Sequence, residues 1–351
     1  MNFSFDKKIF GLDISDRALR LIQLQKKGRK FFLNSYNEVV IPPEIIIGGE
    51  IKNEEKFIQL INQLIKSVEG KRVTTKNVIS VLPEPKTFIK VINIKSSLKD
   101  GGISELIQEE IENHIPFSLE EIYLDWQILK RTNGNLTILV GAAPKNIVDS
   151  YTTALEKSGL TPLVLEIEGA AIIRTLLFEK DQGAKIIIDF GAVRTGLILY
   201  DKGTIQFTVS LPISGIKITE AIQETLNLDW QKAEKAKIIC GLDPTKCEGA
   251  LLKILMNTID RLVIQIKKAI TFYQTNFSNK APISEIIICG GGANFSNINE
   301  VLSSKLGLPV KIANPLINVS QTKKINIPSA KALSYTTAIG LALKVFQKDK
   351  K

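Results

Sequence analysis

A strand-Asp-turn-strand unit occurs twice in this chain, and that repeat constrains the fold more than any other feature. FGLDIS at 10–15 and IIIDFGAVRT at 186–195 each run an apolar strand into an aspartate, Asp13 and Asp189. Each continues through a strand, a turn and another strand, then a helix. In the first copy, residues 17–25 alternate, with Leu19, Leu21 and Gln23 on one face and Arg20, Ile22 and Leu24 on the other. That is a strand pattern. Residues 31–41 make a third strand, stopped by Pro42-Pro43. The second copy reads as strands 184–190, 193–201 and 203–211, with Lys202-Gly203 at the tight turn. A repeat of this length decides architecture. It predicts two related α/β lobes facing a cleft.

The rest of the chain fills in around the repeat. Residues 54–68 place Phe57, Leu60, Ile61, Leu64, Ile65 and Val68 at helical spacing behind the N-cap Asn53. Residues 77–82 are a strand. The stretch 86–160 has its own rhythm: strand 87–94, helix 103–114, strands 121–130 and 136–143, helix 144–158. It reads as an inserted α+β subdomain with a small sheet. A strand at 161–168 and a helix at 169–179 follow. After the second meander come helices at 215–226 and 229–239, a long amphipathic helix at 249–277, a buried strand at 285–289, and helices at 294–306 and 329–346. The expected division is a first lobe of 1–85, 161–183 and 329–351, the insertion 86–160, and a second lobe 184–328 whose helical part spans about 227–280.

The chemistry expected of such a cleft is specific. Hairpins after Asp13 and Asp189 offer backbone N–H groups to phosphate oxygens. Two carboxylates across a polyphosphate need a cation between them, and Mg²⁺ takes a few carboxylates, phosphates and waters. Gly290-Gly291-Gly292 ends a buried strand, where missing side chains let a flat base approach the backbone.

Composition removes the alternatives. A single histidine, His114, among 351 residues excludes a histidine-rich metal site and leaves any nucleophilic triad to that one residue. Its place at a helix end reads as a packed ring. Cys240, Cys247 and Cys289 form no C-x-x-C pair, which argues against a structural zinc site and a disulfide framework. The low, odd cysteine count fits a reducing compartment. No apolar run reaches the roughly 18–20 residues needed to span a bilayer. The N-terminal segment carries no signal-peptide h-region, so a cytoplasmic location is expected. The net charge is +10, from 46 Lys plus Arg against 36 Asp plus Glu. Its densest clusters are Lys26, Lys27, Arg29 and Lys30 in a hairpin turn and Lys344, Lys348, Lys350 and Lys351 in the tail. No RNP-like strand or helix-turn-helix accompanies them, so nucleic-acid binding is not expected. Most of these lysines read as solvated surface; a contact with an anionic membrane surface or a membrane-bound partner suits the rest.

The order of motifs resembles the actin-like ATPase (ASKHA) superfamily, whose duplicated ribonuclease H-like lobes close around a nucleotide. GLDISDRALR at 11–20 corresponds to the first phosphate loop, DFGAVRT at 189–195 to the second, and CGGGANF at 289–295 to the adenosine loop. Connecting helices begin at IEGAAIIR, 167–174, and YTTAIGLAL, 335–343. Within the superfamily the chain resembles the FtsA/PilM branch, and in particular the PilM family of type IV pilus assembly. The similarity rests on ELIQEEIENHIPFSLEEIYLDWQIL at 105–129, SGLTPLVLEIEGAAIIR at 158–174 and LPISGIKITEAI at 211–222. One departure is Ser15-Asp16, where the family usually carries Gly-Ser. It sets an extra negative charge near a polyphosphate, to weaken nucleotide binding or to help hold Mg²⁺.

The resemblance implies the following roles. Asp13 and Asp189 hold hydrated Mg²⁺ under the phosphates of ATP. Gly11 and Ser15 line the first phosphate hairpin; Gly191, Ala192 and Thr195 line the second, with the Thr195 hydroxyl donating to phosphate. AEKAK at 233–237 supplies Glu234 to the ribose hydroxyls and Lys237 beside it. Gly290, Gly291, Gly292 and Ala293 flank the adenine. Glu168 positions the attacking water. Phosphoryl transfer needs mostly positioning and charge stabilisation, so binding with slow or absent hydrolysis is expected.

The implied partner is the N-terminal cytoplasmic peptide of an inner-membrane PilN-like protein. It is held between the first lobe and the insertion, with strand 87–94 and residues Ile115 to Phe117 as walls. Other pilus components and self-association into a ring are also implied, with membrane contact only through a partner. The rival readings are a hydrolase or sugar kinase, for which no acceptor-site motif is found, an FtsA-type membrane filament, and the equivalent type II secretion component. VFQKDKK directly after the last helix, without a linker to an amphipathic anchor, counts against the filament.

Overall fold

A computed structural model describes residues 8–95, 103–115, 118–132, 134–178, 181–277 and 280–347. Phe117 of the expected peptide wall and Lys348, Lys350 and Lys351 of the basic tail lie outside these residues.

The first meander forms as β1 (Phe10–Ile14), β2 (Ala18–Lys27) and β3 (Lys30–Val40), all antiparallel. Helix α1 (Glu54–Lys66) follows; the Asn53 side chain accepts the Lys56 N–H at 3.1 Å, and Phe57, Ile61 and Leu64 are buried. Strand β4 (Asn77–Leu82) then lies parallel to β1. The insertion contributes β5 (Phe88–Lys95), α2 (Ile103–Ile111), β6 (Ile122–Thr132), β7 (Asn135–Pro144) and α3 (Lys145–Lys157). His114, just past α2, sets its Nε2 3.3 Å from Glu110 one turn earlier. Strand β8 (Thr161–Ile167) pairs parallel with β4 and leads into the connecting helix α4 (Glu168–Leu176).

The second meander is β9 (Ala184–Phe190), β10 (Thr195–Asp201) and β11 (Thr204–Leu211). Lys202 and Gly203 take φ of 52° and 81° in the tight turn between the last two, as hairpins of this kind require. Helices α5 (Gly215–Leu226), α6 (Trp230–Cys240) and α7 (Ala250–Asn276) follow. Then come β12 (Ile283–Cys289), α8 (Ile298–Leu306), the short β13 (Val310–Ile312) and the second connecting helix α9 (Thr336–Lys344).

The repeat is visible in the sheets. The first runs β8-β4-β1-β2-β3 and the second runs β13-β12-β9-β10-β11, the same order with the same parallel and antiparallel relations. Two-residue strands at 69–70 and 319–320 add to β3 in the first sheet.

Four expectations need correction. The insertion does not carry a separate small sheet: β5, β7 and β6 extend the second sheet, joined to β11 through the single pair Phe207 and Lys90. Helix α3, assigned by sequence to the insertion, packs Ile147, Tyr151, Ala154 and Leu155 into the core under the first sheet. Cys240 and Cys247 form a disulfide. Helix α6 ends at Cys240, Gly241 turns the chain at a φ of 52°, and the two Cα atoms return to 5.8 Å, within the usual range for a bridge. The cysteine count is therefore no guide to compartment. The C-terminal helix expected at 329–346 is also interrupted, by a tight turn of helix over Leu333–Tyr335.

The two connecting helices cross in close contact. A Cβ at Gly340 of α9 would strike the carbonyl of Ala171 in α4. Overpacking of a tight core usually costs about 1–3 kcal/mol, and here the obstacle is backbone. Gly340→Val is expected to destabilise by at least about 3 kcal/mol, at the top of that range, read as an earlier midpoint in urea unfolding.

A cleft built on paired aspartates

Asp13 is the penultimate residue of β1 and is 3% exposed. The turn after it is closed by Ser15, whose N–H donates to the Ala18 carbonyl at 3.0 Å and whose Oγ accepts the Ala18 N–H at 3.2 Å. Across the hairpin, Arg20 stands in register with Asp13. Its Nη1 lies 3.3 Å from Asp13 Oδ2, and its Nε donates to Glu38 Oε2 at 2.6 Å. The other Asp13 oxygen, Oδ1, is buried with no hydrogen-bond partner.

Asp189 occupies the equivalent place in β9. Its register partners are Gly196 on β10 and Cys289 on β12. The hairpin beyond it is held by the Gly191 N–H donating to the Arg194 carbonyl at 3.0 Å. Gly191 and Ala192 in turn offer their carbonyls to the N–H groups of Gly215 and Ile216, at 3.1 and 2.9 Å, where α5 begins.

The electrostatics join the two lobes. Asp13 is pushed up to about 6, chiefly by burial and further by the charge of Asp189, against the pull of Arg20. Burial also raises Asp189, with Arg20 and Arg194 opposing. Glu168, the first residue of α4, is raised well above the usual carboxylate range by burial and then by the charges of Asp189 and Asp13. Three carboxyl groups raised by burial, with Asp189 raising both Asp13 and Glu168, leave the cleft short of cations. The orphaned Asp13 Oδ1 and this excess negative charge fit a divalent cation. Among the described residues no three His, Cys, Asp or Glu side chains are grouped to ligate a metal directly. A Mg²⁺ ion would therefore keep most of its waters and be held by Asp13 and Asp189 through them.

The glycine turn after β12 fits close approach. Gly290 has a φ of 80°, and a Cβ there would collide with Asp189 Oδ1. A Cβ at Gly292 would enter the Phe190 ring, whereas Gly291 faces solvent and Ala293 is buried. On α6, Lys237 Nζ donates to Glu234 Oε2 and Thr219 Oγ1, both at 2.6 Å, and to the Gly215 carbonyl at 3.1 Å. Burial lowers the Lys237 ammonium despite the Glu234 carboxylate. Lys237 thus ties α6 to α5, while Glu234 stays half-exposed.

Two residues expected in the phosphate loops are placed differently. Gly11 lies within β1, two residues before Asp13; a Cβ there would come within 2.6 Å of the Ala342 N atom of α9. It is a packing glycine. Thr195 is fully buried and donates its hydroxyl to the Ile213 carbonyl at 2.8 Å, as a buried hydroxyl must find a partner. Asp16 is also not turned toward a free pocket. Its Oδ1 accepts the Gly49 N–H at 2.9 Å, and its Oδ2 lies 3.5 Å from Arg194 Nη2 of the opposite hairpin.

Arg20, Arg194 and Glu84 were not singled out from sequence. Strand alternation placed Arg20 on the face opposite Leu19 and Leu21, and counting back through the hairpin would have set it beside Asp13. Glu84 is 8% exposed and pushed up by burial, with Ser210 and Arg194 opposing. No local signal marks it.

Duplicated sheets around a cleft of this kind define an actin-like protein, and comparison agrees. A solved PilM–PilN type IV pilus biogenesis complex contains a chain that superposes with a TM-score of 0.81 at 23% identity, covering 97% of this chain and 99% of that one. MreB5 of Spiroplasma citri bound to ADP aligns with a TM-score of 0.57 at 13% identity, over 97% and 96% of the two chains. The cell division protein FtsA of Enterococcus hirae is 22% identical over 356 residues, 87% of this chain and 78% of that protein. The family model for type IV pilus assembly protein PilM matches residues 11–346. The chain belongs to the PilM family. No helix among the described residues is long and apolar enough to cross a membrane.

The raised Asp13 sets a sign for pH dependence. A carboxyl at about 6 in the fold against 3.8 in its ordinary state stabilises the fold below about pH 4, and that stability is lost as pH rises through 6. Asp13→Asn is expected to raise the melting temperature of the nucleotide-free protein at pH 7.5, and the gain should vanish near pH 4. A variant less stable than the parent at pH 7.5 would contradict the assignment.

Proposed function

We propose that this chain is an ATP-binding scaffold of the type IV pilus assembly machine. It takes up the N-terminal cytoplasmic peptide of an inner-membrane PilN-like protein and reaches the membrane through that partner. The observation that carries the reading is the PilM family match over residues 11–346. The solved neighbour is a PilM–PilN complex, and another neighbour, MreB5, is bound to ADP.

Mg-ATP, when bound, supplies the polyphosphate and the divalent charge that offsets the carboxylates of the cleft. Asp13 and Asp189 would hold the hydrated ion, and the hairpins after them would offer N–H groups to phosphate. Glu168, raised by burial and by the charges of Asp189 and Asp13, would orient the attacking water; the reading is of slow or absent turnover.

The peptide groove can be described more closely than sequence allowed. Strand β5, expected as a wall, pairs along its length with β7 and meets β11 only at the Phe207–Lys90 pair. Ile115 is buried among Ile92, Ile107 and Ile111 in the insertion's own core. An outermost strand of the second sheet is β6, and an outermost strand of the first is β8. Tyr123, Asp125, Gln127 and Leu129 alternate outward along β6 on the face where Gly141 meets Ile167 of β8. Tyr123 and Leu129 are 49% and 37% exposed. An extended peptide adds main-chain bonds to such an edge and places alternate side chains on that face.

The test is titration with the N-terminal peptide of the cognate PilN-like protein, with and without Mg-ATP, alongside phosphate release. Absence of binding under both conditions would sink the pilus reading; rapid release would make the chain a hydrolase. Leu129→Glu is expected to weaken the peptide at least tenfold, about 1.4 kcal/mol, with an unchanged melting temperature. Asp16→Ser frees Arg194 and removes a negative charge, so ATP affinity measured by calorimetry should rise by up to about fivefold, about 1 kcal/mol.

A further inference from the structure

A second concave site lies on the opposite face of the extended sheet from the β6–β8 groove, where the insertion joins the second lobe. Strands β10, β11 and β5 form its floor and helix α7 its wall, enclosing a cavity of about 340 Å³. Phe88, Phe207, Leu211 and Phe272 supply apolar surface. The charged residues lining it are Lys90 and Lys268, and no carboxylate is among the lining residues. Lys90 Nζ stands 5.9 Å from the centre of the Phe272 ring. Phe272 is 40% exposed and Val209, also lining the cavity, is 37% exposed.

These features differ from an ordinary surface crevice. A site of about 300–1,000 Å³ with mostly apolar walls and a few placed polar groups is the usual form of a small-molecule pocket. Uncovered aromatic surface favours an apolar occupant. Two ammonium groups without a facing carboxylate favour an anionic end. Nothing in the lining offers an acceptor strong enough to prefer a cation.

The geometry points to a binding site for a small amphiphilic carboxylate, with its alkyl or aryl body against Phe88, Phe207 and Phe272 and its carboxylate between Lys90 and Lys268. The occupant would touch both sides of the junction that the Phe207–Lys90 pair alone connects by strand pairing. This site is separate from the nucleotide cleft and from the proposed peptide groove.

Octanoate is the probe, with 1-octanol and octylamine as controls of equal chain length, each titrated into the full chain and followed by amide chemical shifts. The expected result is saturable octanoate binding, at least fivefold tighter than octanol, with octylamine weaker still and shifts centred on β5, β11 and α7. Joint replacement Lys90→Ala and Lys268→Ala should bring octanoate down to the level of octanol. Val209→Asp places a carboxylate beside the two ammonium groups and should weaken octanoate toward the level of octanol. No saturable octanoate binding would overturn the proposal. So would equal binding of octanoate and octanol, or shifts that map elsewhere. Self-association through this face, seen as a mass that falls to monomer in Phe272→Ala while octanoate leaves the parent unchanged, would also overturn it.

Discussion

Two aspartates that share one cleft, one of them buried and the other partly so, are costly to charge together without a cation nearby. The chain supplies one from its own first hairpin. Arg20 touches Asp13, bonds Glu38 and lowers Asp189 on the other lobe. Its own charge is held firmly, since Asp13 and Glu38 outweigh the burial that opposes it. This guanidinium, with Arg194 acting on Asp189 as well, offsets the charge shared by the two halves of the repeat. It does not satisfy them: Asp13 Oδ1 is still unpartnered, and Glu168 is still crowded by like charge. That residual imbalance suits a cleft that gains stability when something cationic enters.

The duplicated lobes have diverged at the position that matters most for this balance. Opposite Asp13 the first lobe places Arg20; opposite Asp189 the second places Gly196. One aspartate is given a fixed counter-ion and the other is given room. The pair between Asp16 and Arg194 then crosses from one hairpin to the other. A phosphate entering there would compete with Asp16 for the same guanidinium. The Ser15-Asp16 departure from the family pattern thus acts between lobes through Arg194.

Much of this was legible in the sequence, for identifiable reasons. The meanders alternate strictly and end on proline or glycine turns, so their strands and order followed from period and punctuation. Asp13 and Asp189 stood out because the repeat aligned them. Gly11 and Thr195 were misplaced because a motif aligns positions without saying which way a residue packs; one glycine serves a helix contact and one hydroxyl satisfies a buried carbonyl. Long-range relations were hidden in the same way. Nothing near Lys90 announces that its strand will join a lobe more than a hundred residues away, and no spacing rule brings Cys247 back to Cys240. Helix α3 looked like part of the insertion because it is contiguous with it, while its apolar face belongs to the first core.

The insertion is fastened at both ends to different bodies. Its helix α3 is embedded in the first core, with Tyr151 bonding the Gly49 carbonyl at 3.0 Å. Its sheet is hooked to the second lobe by one strand pair. Mechanically it is a strut across the molecule rather than an appendage. A rotation of one lobe against the other would load the weaker of these fastenings, the single pair at Phe207, before it disturbed the embedded α3.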